Sequence, residues 1–121
     1  MRKQKPVVYQ ILNIITGTRY IGKANVTRMR WRAHRTDLTA GTHHNKFLQR
    51  DWNTYGPKQF EFSVIGRYSS AEMALAAEVR FIAKYRAAGF VLYNATAGGE
   101  AGSPGVKLPL PVRRPTVVRN P

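Results

Sequence analysis

Glu78 falls between Leu75 and Ile82 on the helical wheel, inside the face that should be buried, and a carboxylate is rarely buried without a partner. Two roles fit it: an ion pair with a neighbouring arginine, or a metal-binding or acid–base carboxylate in a cleft. Arg30 and His34 lie one turn apart and share an arc with Val26, Asp37 and Leu38. They either snorkel at the edge of a core or project into a site. Tyr9 and Tyr20 belong to two short runs rich in Val, Ile and Tyr, split by Thr16-Gly17. With those two as turn residues, Asn13 faces Tyr20 and Ile11 faces Gly22, so Tyr9, Ile11 and Asn13 share a face with Tyr20 and Gly22. Two phenols then meet beside a glycine that leaves a hollow; the purely structural reading is a cross-strand aromatic cluster. His34, His43 and His44 offer three imidazoles, but without the spacing of a histidine-rich zinc site.

These side chains need a scaffold. The hairpin leads into a helix predicted from about Val26 to Ala40, with Asn25 or Thr27 to cap it and Gly41 just past its end. On it, Arg28, Arg32 and Arg35 cluster roughly opposite Arg30 and His34, as a solvated basic face. Gly41-Thr42-His43-His44 reads as a short loop, and Asn45 starts a second helix to about Tyr55, closed by Gly56-Pro57. Phe47, Leu48, Asp51 and Trp52 recur there at helical spacing, which makes the aromatics core and not platforms for bases. Lys58 to Tyr68 gives a third strand with Phe60, Phe62, Val64 and Gly66 on one face. Ser69-Ser70-Ala71-Glu72 reads as a capping box opening an alanine-rich helix to about Ala88, ended by Gly89. Its apolar stripe is Ala71, Leu75, Val79, Ile82 and Tyr85, with Glu78 among them. The expected fold class is α/β in the α+β sense: a small, three-stranded, mainly antiparallel sheet packed by about three to four helices.

Charge is the strongest global feature. The 121 residues carry 20 Lys and Arg against 6 Asp and Glu, a net +14 that repels itself in a compact chain and suits a polyanionic partner. Between Arg19 and Arg50, Asp37 is the only acid. Nucleic acid, gripped through its phosphates, is the expected partner, with Lys23, Arg28, Arg32, Arg35, Lys46 and Arg50 as the contacts. No stretch pairs this charge with a clean apolar helical face, and no apolar run is long enough to span a bilayer, so a membrane is not expected; no protein partner is evident. The absence of cysteine excludes disulfide scaffolds and thiolate zinc sites. Residues 1–6 lack the apolar segment of a secretory signal, which points to a cytoplasmic protein. Residues 1–97 are expected to form one domain, and 98–121, with five of the seven prolines, a flexible basic tail.

The motifs also occur in a familiar order. Val8-Tyr9 followed by Tyr20-Ile21-Gly22 resembles the paired motifs that name the GIY-YIG endonuclease superfamily. Arg30-Trp31 with His34 is similar to that family's arginine-bearing helix, Gly41-Thr42-His43 to its loop histidine, Glu78 to its helix glutamate and Asn94 to its late asparagine. The run Ala33-His34-Arg35-Thr36-Asp37-Leu38, then Leu48-Gln49-Arg50, Tyr55-Gly56 and Asn94-Ala95-Thr96-Ala97-Gly98-Gly99 resemble the catalytic domain of phage homing endonucleases. Together the similarity spans residues 7 to 100. Val7 replaces the family's usual leading glycine, and only a short tail stands where homing members carry a DNA-targeting domain.

The resemblance implies a metal-dependent DNA endonuclease whose catalytic residues are Tyr9, Tyr20, Arg30, His34, His43, Glu78 and Asn94. Glu78 would hold Mg²⁺, with Mn²⁺ as a substitute, because Mg²⁺ needs few protein ligands beyond a carboxylate and the substrate phosphate. Arg30 would grip non-bridging oxygens through its planar fork. Tyr9 would be the general base, helped by nearby positive charge from the metal-bound cluster or Lys23. Tyr20 would orient water or phosphate, His34 or His43 would relay a proton, and Asn94 would fix the site by hydrogen bonds. The competing readings are a non-catalytic basic nucleic-acid-binding protein and a repair or structure-specific nuclease on the same scaffold.

Overall fold

Val7, Val8, Tyr9 and Ile11 are all at most 1% exposed, so the first strand is covered on both faces. This strand, β1 (Val7–Asn13), is the centre of a three-stranded sheet, flanked by β2 (Arg19–Ala24) on one side and β3 (Phe60–Arg67) on the other, both antiparallel to it. Three helices, α1 (Thr27–Ala40), α2 (Lys46–Tyr55) and α3 (Ala71–Ala87), pack around it, as the α+β expectation required. The computed structural model describes residues 5–94; the expected tail over 98–121 lies outside the described residues.

The hairpin register differs from expectation by two residues. Tyr9 pairs with Gly22 and Ile11 with Tyr20, and the loop is wider than a two-residue turn. The Asn13 N–H donates to the Thr18 carbonyl at 2.9 Å, and the Gly17 N–H donates to the Asn13 carbonyl at 2.8 Å, with Gly17 at φ +81°. The Asn13 side-chain oxygen accepts from the Ile15 N–H at 3.0 Å, an Asx turn that holds the extra residues. A shift of two leaves every side chain on its expected face, so Tyr9 and Tyr20 still lie together.

In β3 the register against β1 slips between Val8 and Tyr9: Val64 pairs with Tyr9, but Gly66 pairs with Val8. The bulge at Ile65 therefore carries Gly66 to the face opposite Phe62 and Val64, contrary to the alternation expected from sequence.

The two faces of the sheet carry separate cores. On one, Val7, Tyr9, Ile11 and Ala24 pack with Leu38 of α1, Leu48 and Trp52 of α2, Phe60 and Tyr93. On the other, Val8 and Ile21 pack with Ala74, Ala77 and Ile82 of α3 and with Leu92. The stripe of α3 is thus rotated from the predicted one: Ala74 and Ala77 are buried, while Leu75 and Val79 are 37% and 38% exposed and Ala71 is exposed. Small alanines let the helix axis approach the sheet more closely than leucine or valine would.

Helix ends follow the expected chemistry with two changes. Neither Asn25 nor Thr27 caps α1; Val26 is the N-cap and makes no side-chain bond. At its other end Gly41 takes φ +80°, its N–H donating to Leu38 O while the Thr42 N–H reaches Asp37 O, a Schellman motif. The cap of α3 is Ser70 and not Ser69, accepting from the Met73 N–H at 3.1 Å, which leaves Glu72 in the first turn beside the helix dipole.

Candidate active site

Tyr9 rises from the middle of β1 over Gly22 of β2, and its hydroxyl meets His34 Nε2 of α1 at 2.6 Å. His34 Nδ1 in turn lies 2.7 Å from His43 Nε2, in the loop after α1. The Asn45 backbone N–H donates to His43 Nδ1 at 3.0 Å, and the His43 N–H donates to Gln49 Oε1 at 3.0 Å. Tyr9, His34 and His43 are 0%, 4% and 6% exposed, so the row is sealed from solvent along most of its length. Arg30 and Glu78 stand at its open end: their charges act on both the Tyr9 and Tyr20 phenols. The positions expected to act together are therefore brought together, from β1, β2, α1, its following loop and, across the sheet, α3.

Each group's protonation follows from its surroundings. Burial, assisted by Tyr20 and Glu78, pushes the Tyr9 phenol well above its ordinary range, and Arg30 pulls it back down. Tyr20 is pushed up to about 12 by burial and then Glu78, with Arg30 again opposing. His34 is lowered to about 3 by burial and by His43, His44 and Arg30; His43 is lowered to about 4 by burial and His44. Both rings are thus neutral at pH 7. The cation facing Tyr9 is Arg30; Lys23 pairs with Val8, on the other face of the sheet.

Tyr20 touches three imidazoles edge-on: His34, His43 and His44, at centroid distances of 5.5, 6.4 and 6.3 Å. His43 and His44 stack at 4.4 Å, and among the described residues no group of three or more His, Cys, Asp or Glu is arranged to hold a metal ion. The imidazoles form a stack, not a zinc cage. Glu78, 9% exposed, is a single hard carboxylate, a donor type that a divalent cation completed by water and phosphate could use.

Asn94 acts on the backbone. Its side chain accepts from the Ile21 N–H and donates to the Ile21 carbonyl, both at 2.8 Å, clamping β2 between Tyr20 and Gly22. Arg86 donates to the Asn94 carbonyl at 2.7 Å. Next to it, Tyr93 is buried, its hydroxyl donating to Asp51 Oδ2 at 2.7 Å and accepting from Asn13 Nδ2 at 3.1 Å. Burial and Asp51 both raise the Tyr93 phenol. Sequence reasoning assigned no such role to Tyr93, Asp51 or Asn45; a buried acid on α2 was the only visible signal.

The basic residues divide. Arg28, Arg32 and Arg35 are exposed and line an open groove of about 520 Å³ along α1 with Thr27, Trp31 and Thr36. Arg35 also lies 4.0 Å over the Phe62 ring. Lys46 is exposed at the first turn of α2. Arg50 is tied to Asp51 at 3.1 Å, and Lys23 is half-buried on the α3 side.

Comparison with known proteins gives a consistent set of likenesses. Residues 5–94 match the family model described as the GIY-YIG catalytic domain. Intron-associated endonuclease 1 of Enterobacteria phage T4 is 38% identical over 61 residues, which is 50% of this chain and 24% of that protein. The chain thus spans about a quarter of the curated relative's length. Among solved structures, the catalytic domain of the homing endonuclease I-TevI superposes with TM-score 0.65 at 27% identity, covering 73% of this chain and 97% of that one. A mutant of the catalytic domain of intron endonuclease I-TevI gives TM-score 0.63 at 28% identity, with 69% and 86% covered.

Proposed function

The chain belongs to the GIY-YIG family of catalytic domains, and from that footing we propose that it is a divalent-metal-dependent DNA endonuclease hydrolysing phosphodiester bonds, of the homing-endonuclease type. The observation that carries the reading is the convergence of Tyr9, Tyr20, Arg30 and Glu78 at one end of a buried histidine row. Its phage relative supports action on DNA inside a bacterial host.

Hydrolysis needs a deprotonated water, neutralisation of charge on the phosphate and help for the leaving oxygen. Arg30 is exposed and hydrogen-bonds the Tyr9 phenol; its planar fork would also grip non-bridging oxygens, and its charge favours the Tyr9 phenolate. That phenolate takes a proton from the attacking water; the water oxygen bonds to phosphorus as the bond to the leaving oxygen breaks. Tyr20, edge-on to the imidazoles, positions the water or phosphate. Asn94 keeps β2, and so Tyr20 and Gly22, in place. Glu78 would hold Mg²⁺ or Mn²⁺, which supplies positive charge to the phosphate and leaving oxygen when bound. Arg28, Arg32, Arg35 and Lys46 would seat the duplex through its backbone, with Lys23 and Arg50 as outer contacts. The residues at 98–121 would add a basic tail.

A supercoiled plasmid incubated with the purified chain tests this directly. Nicked or linear product should form with Mg²⁺ or Mn²⁺ and not in EDTA. Binding without cleavage in every metal would overturn the enzyme and leave a basic DNA-binding protein.

A further inference from the structure

The row Tyr9–His34–His43–Asn45 has a direction, and one backbone amide sets it. Asn45 N can only donate, so the nitrogen it addresses at 3.0 Å, His43 Nδ1, carries no proton. A neutral His43 must then hold its proton on Nε2. That nitrogen is 2.7 Å from His34 Nδ1, so His43 donates and His34 Nδ1 accepts. His34, neutral in turn, holds its proton on Nε2, which points at the Tyr9 oxygen at 2.6 Å. Tyr9 is therefore the acceptor at the end of the row.

We propose that Asn45 is a positioning residue whose main-chain N–H fixes the tautomer of His43, and through it that of His34, so that the imidazole pair delivers a hydrogen bond to the Tyr9 phenolic oxygen. The consequence for the chemistry rests on the nuclease reading above. His34, already protonated at Nε2, cannot take the Tyr9 proton, so the histidines are not its sink. They act as donors that favour the phenolate, opposing the burial that disfavours it. The Tyr9 O–H is left to point away from His34 and to lose its proton toward the open end of the site.

Asn45 is well held for this task. Its side-chain oxygen caps α2 through the Phe47 and Leu48 N–H groups at 3.1 and 3.0 Å, and its Nδ2 donates to Tyr93 O at 2.9 Å. Gln49 completes the fixing of His43: its Oε1 holds the His43 N–H, while its Nε2 donates to Leu38 O at 2.9 Å. The amide is thus aimed by three hydrogen bonds of its own side chain, and the ring it addresses is held by Gln49.

Long-range ¹H–¹⁵N correlation NMR on the full, uniformly labelled chain at pH 7, without metal or DNA, reads the tautomers independently of activity. Both His34 and His43 should show a protonated Nε2 and a bare Nδ1. A proton on Nδ1 of either ring, or a charged ring, would overturn the proposal even in a chain that nicks DNA. The expected tautomers in a chain inert with every metal would uphold the wiring and remove only the nuclease. Two variants extend the test. In His43→Gln the side-chain amide can still donate to His34 Nδ1, so His34 should keep its Nε2–H form and nicking should be largely recovered. In His43→Leu that donor is gone, His34 should populate the Nδ1–H form, and nicking should fall at least tenfold below the Gln variant. Equal tautomers and equal rates in the two variants would also sink the proposal.

Discussion

The Tyr9 ring occupies the space that any side chain at Gly22 would need: a Cβ there would sit 2.6 Å from the Tyr9 hydroxyl and 2.7 Å from its Cζ. The hollow that glycine leaves between the strands is the seat of the phenol. Gly22→Ala should therefore move the hydroxyl off His34 without deleting it. We expect nicking to fall by roughly a hundredfold, since small misplacements cost that much, and stability to drop by about 1–3 kcal/mol from overpacking. Nicking rate and melting temperature measured together check this; a rate within twofold of wild type would dissociate the glycine from the chemistry.

Tyr9→Phe keeps the ring and its edge contact with Trp31 at 6.1 Å but removes the hydroxyl. The buried His34 nitrogen then loses its partner, at a cost of about 1–3 kcal/mol. Cleavage should fall by about 10²–10⁴, as for loss of a general base. Wild-type nicking in a folded Tyr9→Phe protein would return the tyrosine to a packing role.

Acid should destabilise the fold through the same row. His34 and His43 have folded-state values of about 3 and 4, below the ordinary 6.5, so the unfolded chain binds more protons between those limits. Their contribution is complete above pH 6.5 and is lost as pH falls toward 3. Melting temperature should decline steadily from pH 7 to pH 4. The decline should be shallower in a His34→Gln protein; an unchanged slope would place the acid sensitivity elsewhere.

Arg28, Arg32 and Arg35 line one groove and should add to DNA affinity through phosphates alone. Replacing all three with Gln should flatten the slope of log K against log salt by roughly 2–3, at about 0.9 for each phosphate that is no longer neutralised. Unrelated duplexes should be weakened alike. A hundredfold preference for one sequence at physiological salt would show base reading that this surface does not provide.

Glu78→Gln removes the carboxylate but little volume. Nicking should disappear and should not return with higher Mg²⁺ or with Mn²⁺, while DNA binding in EDTA persists or tightens because a negative charge has left the site. Preserved nicking alongside a clear drop in melting temperature would make Glu78 a scaffold residue.

Much of this site was legible because its residues break the local pattern. A glutamate in an apolar stripe, and a histidine on the inward arc of α1, are costly unless something uses them. The hairpin faces were legible although the register was not, since the Asx turn of Asn13 adds its residues in an even number. What sequence could not give depends on distant contacts or on small side chains. Ala74 and Ala77 carry less hydrophobicity than Leu75 and Val79, yet the closeness of α3 to the sheet selects them for burial. The Asn13–Tyr93–Asp51 network joins residues 80 and 42 positions apart. The second use of Asn45, through its amide, leaves no trace in residue type at all.

The segment 91–94 has a consequence beyond the site it steadies. β2 is an outer strand, and along its free side the Arg19 N–H and carbonyl are taken by Val91 O and Tyr93 N, and those of Ile21 by the Asn94 amide. One asparagine and two backbone groups thus cover the edge of β2 at Arg19 and Ile21 as a fourth strand would, so a second molecule finds no open donor or acceptor at those two residues. A chain cut before residue 91 would reopen those groups to strand pairing and would also take Leu92 and Tyr93 out of the two cores.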